Sequence, residues 1–236
     1  MKNRILDDSV LIVIPARGGS KGIPDKNIRL VNGIPLIEYT INFAKKLTNN
    51  SNILVSTDSP KIAEISKSAG AACPFLRPKE LSTDLIGDMP VLRHALNSHQ
   101  DLTNKKYELI LMLQPTSPVR YEHQVSEAIS KLKENKYDSL ISISSVSKKF
   151  HPLKQFEISN GRLKVFSNEA LEIKARQQLQ SSFIRNGVLY LFTSKFIDNS
   201  DYVFSDNTGY IIVDEKWFNI DELKDIEEFE NYITKF

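Results

Sequence analysis

The chain has 236 residues and a formal net charge of +2, 31 Lys and Arg against 29 Asp and Glu, which gives no electrostatic case for a nucleic acid or a membrane surface. Its single cysteine, Cys73, excludes an internal disulfide framework and a cysteine zinc site. A 41% hydrophobic and 25% charged composition suits a globular protein, and one domain spanning 1–236 is the expected organisation. Residues 1–9 are polar, without an apolar signal region, and no apolar run approaches the roughly 20 residues of a membrane span, so a cytoplasmic protein is expected.

Residues 10–14 are an apolar, β-branched run that reads as a buried parallel strand, ended by Pro15. The loop that follows, 17–23, carries Gly18, Gly19 and Gly22 with Ser20 and the cations Arg17 and Lys21; Lys26 and Asn27 come next. Glycines let backbone N–H groups approach an anion, and the cations supply charge where a polyphosphate would sit. The pattern predicts a strand-loop-helix phosphate cradle that is neither a Walker A loop nor a dinucleotide fingerprint. A plain surface turn is the competing reading, and two cations, a serine and Lys-Asn behind the first strand outweigh it.

Helical spacing of Leu36, Ile37, Ile41, Ala44 and Leu47 predicts a helix over 36–47. A strand over 53–58 and a helix over 60–69, with Ser59 as N-cap, complete a β-α-β-α alternation. That alternation implies a parallel, doubly wound sheet, whose ligands bind beyond the carboxyl ends of the strands, where Arg17 and Asp58 lie. A short strand, a loop over 75–84 containing Arg77, Ser82 and Asp84, and a helix near 89–98 come next; Asp88 reads equally as a helix-start carboxylate or a ligand group. A buried strand over 109–113 ends in Gln114-Pro115-Thr116-Ser117-Pro118-Val119-Arg120, whose amide and hydroxyls suit a polyhydroxylated ligand, ahead of a helix over 122–134. After a strand at 139–144 the alternation breaks. Residues 155–158 and 162–166 flank Ser159-Asn160-Gly161 as a hairpin. A strand over 210–213 precedes Asn219 and Asp221, and Asp221 reads as a metal ligand or as the N-cap of the last helix.

These motifs resemble the CMP-sialic acid synthetase (acylneuraminate cytidylyltransferase) family, including its bacterial members for sialic-acid-like sugars. The resemblance runs over nearly the whole chain and is carried by Ala16-Arg17, Ser20-Lys21-Gly22, Lys26-Asn27, Arg77-Pro78 with Glu80-Leu81, Leu113 to Arg120, His151-Pro152-Leu153-Lys154, and Arg176-Gln177 with Leu179. It implies a Rossmann-like, doubly wound, mostly parallel sheet of the nucleotide-diphospho-sugar transferase type, with residues 146–183 as an inserted β-hairpin arm for homodimerisation; a free-standing lid is the other reading of that insert. The implied activity is transfer of CMP from CTP to the anomeric hydroxyl of an acidic nine-carbon sugar, with Mg²⁺ as cofactor.

By resemblance, Ala16, Gly18, Gly19, Ser20, Lys26, Asn27, Arg77, Ser82 and Asp84 bind the nucleotide, and Arg17, Lys21 and Asp221 are catalytic. Gln114, Thr116, Ser117, Lys154, Arg176, Gln177, Arg185 and Asn186 hold the sugar, and Asp221 with Asn219 holds the metal. Two departures stand out. Asn219 replaces a family aspartate. Ile184 takes the customary place of an arginine, with Arg185 one residue later, a shift that turns the guanidinium away from the pocket if side chains simply alternate along the segment. The alternatives are a cytidylyltransferase for the eight-carbon acid KDO and, from a different class, a catalytically weak nucleotide-sugar binder.

Overall fold

The computed structural model describes residues 5–19 and 22–235; Ser20 and Lys21 of the glycine loop lie outside them. At its centre is a six-stranded sheet in the order β10-β6-β9-β5-β1-β4. It is built from β1 (Val10–Pro15), β4 (Ile53–Ser56), β5 (Leu109–Met112), β6 (Ser139–Val146), β9 (Ser182–Thr193) and β10 (Thr208–Ile212). β1 runs parallel to both β4 and β5, with Ile12 opposite Ile53 on one side and Leu111 on the other. β10 runs parallel to β6, and β9 is antiparallel to both its neighbours. Five strands therefore point one way around a single reversed strand.

The central strands are apolar at every position because they are covered on both faces. On one face Ile12, Ile14, Leu109 and Leu111 pack with Ile37 and Ile41 of α1 (Leu36–Leu47) and Val125 and Leu132 of α4 (Glu122–Asn135). On the other, Leu11, Val13, Ile110 and Met112 pack with Met89, Leu92 and Leu96 of α3 (Asp88–Thr103) and with Tyr190 and Phe192. Each such side chain stabilises the fold by about 1.5–3 kcal/mol relative to exposure. A third cluster ties the region after the glycine loop to the end of the chain: Ile23, Val31 and Leu36 meet Phe218, Ile220 and two residues of α6 (Leu223–Ile233), Ile226 and Phe229.

Several expectations hold closely. The helix α1 has the predicted bounds, and α2 (Pro60–Ser68) is capped by the Ser59 hydroxyl, which accepts from the Ile62 N–H at 3.4 Å. Cys73 is a buried free thiol. The hairpin is β7 (Phe156–Ser159) and β8 (Arg162–Val165), turned by Asn160 and Gly161 at φ of 52° and 72°, the geometry of a type I′ turn. Others change. No helix follows the glycine loop directly: a 3₁₀ turn (Lys26–Ile28) and the two-stranded β2 (Leu30–Val31) and β3 (Ile34–Pro35) intervene before α1. The short strand before Arg77 reduces to an isolated bridge, Leu54 to Ala72. The reversed strand β9 and the short α5 (Ser194–Asn199) were not foreseen, since an apolar run reads alike in either direction. Among the described residues no helix is long and apolar enough to cross a membrane.

One packing feature of α3 sets a pH dependence. His99 is buried, with Nε2 3.3 Å from the Ser51 carbonyl oxygen, Nδ1 unpartnered among the described residues, and its ring stacked on Tyr107 at 5.8 Å. Burial, reinforced by Lys105, pushes its pKa below the ordinary histidine value. The unfolded chain then takes up the proton at higher pH than the native state, so stability is full above about pH 6.5 and declines as pH falls below it. Urea melts between pH 7.5 and 5 are expected to show this decline, and His99→Gln is expected to reduce its slope by up to about 1.4 kcal/mol per pH unit. An unchanged slope would mean that His99 is not the titrating group.

Candidate active site

The carboxyl ends of β1 and β5, with the segment between α2 and α3, open onto a cleft of about 280 Å³ whose lining includes Arg17, Gly19, Lys26, Asn27, Arg77, Asp84, Asp88, Gln114 and Thr116. The first loop is held from several sides. The Gly18 N–H donates to Asp58 Oδ1 at 2.8 Å, and Asn27, itself buried, donates from Nδ2 to the Arg17 carbonyl at 2.9 Å. Gly22 lies so close to the Asp221 carbonyl oxygen that a Cβ would stand 2.7 Å from it. Arg17 is ion-paired with Asp84 at 2.5 Å at the mouth of the cleft. Ala16 is buried beneath the loop, its N–H bonded to the Ser56 carbonyl at 2.9 Å, and is absent from the lining.

Arg77 crosses the cleft wall almost fully buried. Its backbone N–H donates to the Thr57 carbonyl at 2.7 Å and its Nε to the Ser82 hydroxyl at 3.1 Å. Burial lowers its pKa, and neighbouring Asp58 raises it again. Ser82 braces this arginine and does not itself line the cleft.

The Gln114–Arg120 loop divides its residues between surface and scaffold. Gln114 and Thr116 face the cleft. Ser117 is fully buried behind them. Arg120, also buried, donates from Nη2 to the Gln114 carbonyl at 2.5 Å, from Nε to the Val188 carbonyl at 2.5 Å and from Nη1 to the Thr40 hydroxyl at 3.1 Å. Burial lowers its pKa to about 9, so the guanidinium is charged at neutral pH. Gly187, at φ 75°, passes so close to this loop that a Cβ would stand 2.7 Å from Ser117 Oγ and 3.0 Å from Gln114 Oε1. Asn186 is scaffold too: its Oδ1 accepts from the Ser142 hydroxyl at 2.6 Å and its Nδ2 donates to the Ser144 hydroxyl at 2.9 Å.

Arg185 shows why simple alternation misleads here. Ile141 pairs with Tyr190, but Ile143 pairs with Arg185, where a regular ladder would bring Val188. The three extra residues form a bulge, and an odd insertion reverses which face the strand presents. Arg185 thus shares a face with Tyr190, the face covered by α3, and acts electrostatically on both Tyr190 and Asp88. The displaced arginine is turned towards the cleft wall, contrary to the expectation from an unbroken strand.

Lys154, Arg176 and Gln177 are found elsewhere. They sit in short 3₁₀ turns of the arm between β6 and β9, outside the cleft lining. At the other rim, Lys26 Nζ donates to the Ile220 carbonyl and to Asp221 Oδ1, both at 2.9 Å, and Asn219 Nδ2 donates to Asp221 Oδ2 at 2.7 Å. The Asp221 side chain is 60% exposed. It is not the cap of the last helix: the N-cap residue is Glu222, and Asp225 accepts from the Asp221 and Glu222 N–H groups at 2.9 and 2.8 Å. Of the residues that organise the site, Arg120 is visible in the sequence only as the end of the Gln114–Arg120 motif, and Gly187 only as a glycine after Asn186.

A family model described as Cytidylyltransferase matches residues 11–231. The chain is 31% identical over 228 residues to the post-translational flagellin modification protein B of Campylobacter coli, covering 96% of this chain and 95% of that protein. It is 32% identical over 212 residues to the CMP-N,N'-diacetyllegionaminic acid synthase of Legionella pneumophila, with 90% of each covered. In three dimensions it resembles a CMP:2-keto-3-deoxy-manno-octonic acid synthetase solved with CTP, at a TM-score of 0.71 and 14% identity over 97% of this chain and 99% of that one; that likeness concerns the fold.

The crowded passage of Gly187 against the Gln114 loop is testable. Gly187→Ala combines a left-handed φ with two close contacts, a strain of about 1–3 kcal/mol. We expect a melting temperature lower by several degrees and, since Gln114 must move, a turnover reduced by about tenfold or more. A variant that melts and turns over like the parent would show that β9 does not set this loop.

Proposed function

Since the chain belongs to the cytidylyltransferase family, we propose that it transfers CMP from CTP to the anomeric hydroxyl of a nonulosonic, sialic-acid-like sugar acid. The hydroxyl oxygen bonds to the α-phosphorus, the bond from that phosphorus to the bridging oxygen of the β-phosphate breaks, and pyrophosphate leaves. The observation that carries this reading is the cleft at the strand ends, with Arg17, Lys26 and Arg77 on its nucleotide side and Gln114 and Thr116 beside them. Phosphoryl chemistry of this kind rests on positioning and charge neutralisation and needs no covalent nucleophile. Arg17 and Lys26 neutralise the triphosphate, with Lys21 assigned the same task from the sequence. Gln114 and Thr116 orient the sugar. The acidic nine-carbon class is supported by the relatives' names.

Magnesium is part of the proposal. Among the described residues no group of three or more His, Cys, Asp or Glu could hold a metal, so an all-protein cage is not on offer. Magnesium fits nonetheless, because it takes one or two carboxylates and completes its shell with phosphate oxygens and water. Asp221 would supply the carboxylate. The Asn219 amide nitrogen is committed to Asp221, which leaves its carbonyl oxygen as a neutral ligand. When bound, the ion would offset charge on the phosphate oxygens.

A pyrophosphate-release assay with CTP, Mg²⁺ and a panel of nonulosonic acids, with KDO as comparator, tests the reading. Release is expected with a nonulosonic acid and not with KDO; no release with any nonulosonic acid would overturn it. In the same assay Asp221→Ala is expected to lower turnover by about a hundredfold or more. Asn219→Asp is expected to lower the Mg²⁺ concentration needed for half-maximal rate, since it adds a carboxylate.

A homodimer and a cytoplasmic setting complete the proposal; the buried free thiol of Cys73 accords with the latter. The dimer is supported by the arm, whose β7–β8 hairpin exposes Ile158 at 79% and Leu163 at 72%, with Phe156 and Leu171 also exposed. A lone two-stranded hairpin is marginal without something to pack on. Light scattering is expected to give twice the chain mass, and Ile158→Glu with Leu163→Glu to give monomer. A parent that stays monomeric at all concentrations would refute the arm's role.

A further inference from the structure

Arg17 and Lys26, the cleft-lining cations on the side of the glycine loop, are each paired with a carboxylate, and the two pairs are built differently. Lys26 is held fast: its side chain is 14% exposed, and its Nζ is shared between Asp221 Oδ1 and the Ile220 carbonyl. Arg17 meets Asp84 across the mouth of the cleft, with Nη1 2.5 Å from Oδ1, and the two side chains are 35% and 37% exposed. This second pair joins separate loops. Arg17 follows β1, and Asp84 lies between the 3₁₀ turn Lys79–Leu81 and α3.

The backbone at Arg17 is fixed on both sides. Asn27 Nδ2 holds its carbonyl, and the N–H groups of Ala16 and Gly18 are bonded to the Ser56 carbonyl and the Asp58 carboxylate. The guanidinium can therefore turn without the loop moving. Asp84 stands two residues beyond Ser82, which is braced on the Pro78 carbonyl and on Arg77, and next to Leu85, which is 95% exposed. A partly exposed ion pair is weak, so a competing anion exchanges for it at little cost. A carboxylate and a phosphate oxygen both only accept, and both claim the same donors of one guanidinium.

We propose that Asp84 is a counter-ion that competes with the polyphosphate for Arg17, holding the guanidinium across the mouth and taking it back as pyrophosphate leaves. The inference rests on the reading above that places the triphosphate against the first loop. It gives Asp84 a role opposite to that of a nucleotide ligand: the carboxylate lowers the affinity for the leaving group and so favours its release. A polyphosphate carries several negative charges against the one of Asp84, which lets it win the guanidinium while bound. Asp84→Asn keeps the shape of the side chain and removes its charge, and at this exposed position it leaves the core untouched.

The experiment is titration calorimetry with inorganic tripolyphosphate and with pyrophosphate, with and without Mg²⁺, at low ionic strength where weak anion binding is measurable. The proteins are the parent, Asp84→Asn, Arg17→Met and the double variant, each checked for a native melt. Asp84→Asn is expected to bind both anions about three- to fivefold more tightly than the parent. In the Arg17→Met background the same change is expected to alter affinity by less than about 1.5-fold, since the contested cation is gone. During turnover with CTP, Asp84→Asn is expected to be inhibited by pyrophosphate at a correspondingly lower concentration. Weaker anion binding by folded Asp84→Asn, in either metal condition, would make Asp84 a ligand of the anion or of the metal and overturn the proposal. A gain that persists without Arg17 would reduce the effect to general repulsion and overturn it too. A parent that binds neither anion, nor CTP, would take down the reading of the cleft itself and the proposal with it.

Discussion

Arg120 is the constraint on which the site depends. A guanidinium removed from water is costly unless its donors are met, and here they are met by the Gln114 and Val188 carbonyls and the Thr40 hydroxyl. One side chain thereby joins the end of β5, the bulged part of β9 and helix α1. None of the three can shift without leaving a buried charge short of an acceptor, a loss worth several kcal/mol. The floor of the cleft is rigid for that reason, and Gln114 and Thr116 are presented on a frame that binding need not order.

The bulge in β9 serves the same frame. It places Gly187 against Ser117 and Gln114, buries Asn186 among the Ser142 and Ser144 hydroxyls, and turns Arg185 to the face of α3. A strand running against its neighbours allows this, because its residues enter the sheet from the arm and reach the cleft before they reach the core. The opposite rim is held by the C-terminal segment, whose Phe218 and Ile220 pack with Ile23 and Leu36 while Asp221 engages Lys26. That rim of the cleft is therefore held by residues 195 positions apart.

Against this frame the arm is built differently. Its hairpin residues are exposed on both faces apart from half-buried Val165, and Phe156, Ile158 and Leu163 pack into no core. Lys154, Arg176 and Gln177 ride on it, outside the cleft lining. The protein thus combines a preorganised cleft with an arm whose hairpin leaves Phe156, Ile158 and Leu163 open on its surface.

By itself the sequence determined the parts that depend on local periodicity and turn chemistry. The α1 bounds follow from helical spacing, the Ser59 cap and the Asn160-Gly161 turn from residue type, and the placing of Arg17 and Gln114 at strand ends from the apolar runs before them. Tertiary structure alone decided the direction of β9, because an apolar run such as 188–192 has no polarity that periodicity can register. It also decided the face of Arg185, which depends on an odd number of inserted residues relative to a neighbouring strand. Asp221 reads from the sequence as a helix cap or a ligand, and the fold excludes the cap, because Glu222 takes that position while Lys26 and Asn219 bond the Asp221 carboxylate. Asp88 was equally open, since whether a helix-start carboxylate is solvated or held unpartnered in a cleft is settled only by what packs around it.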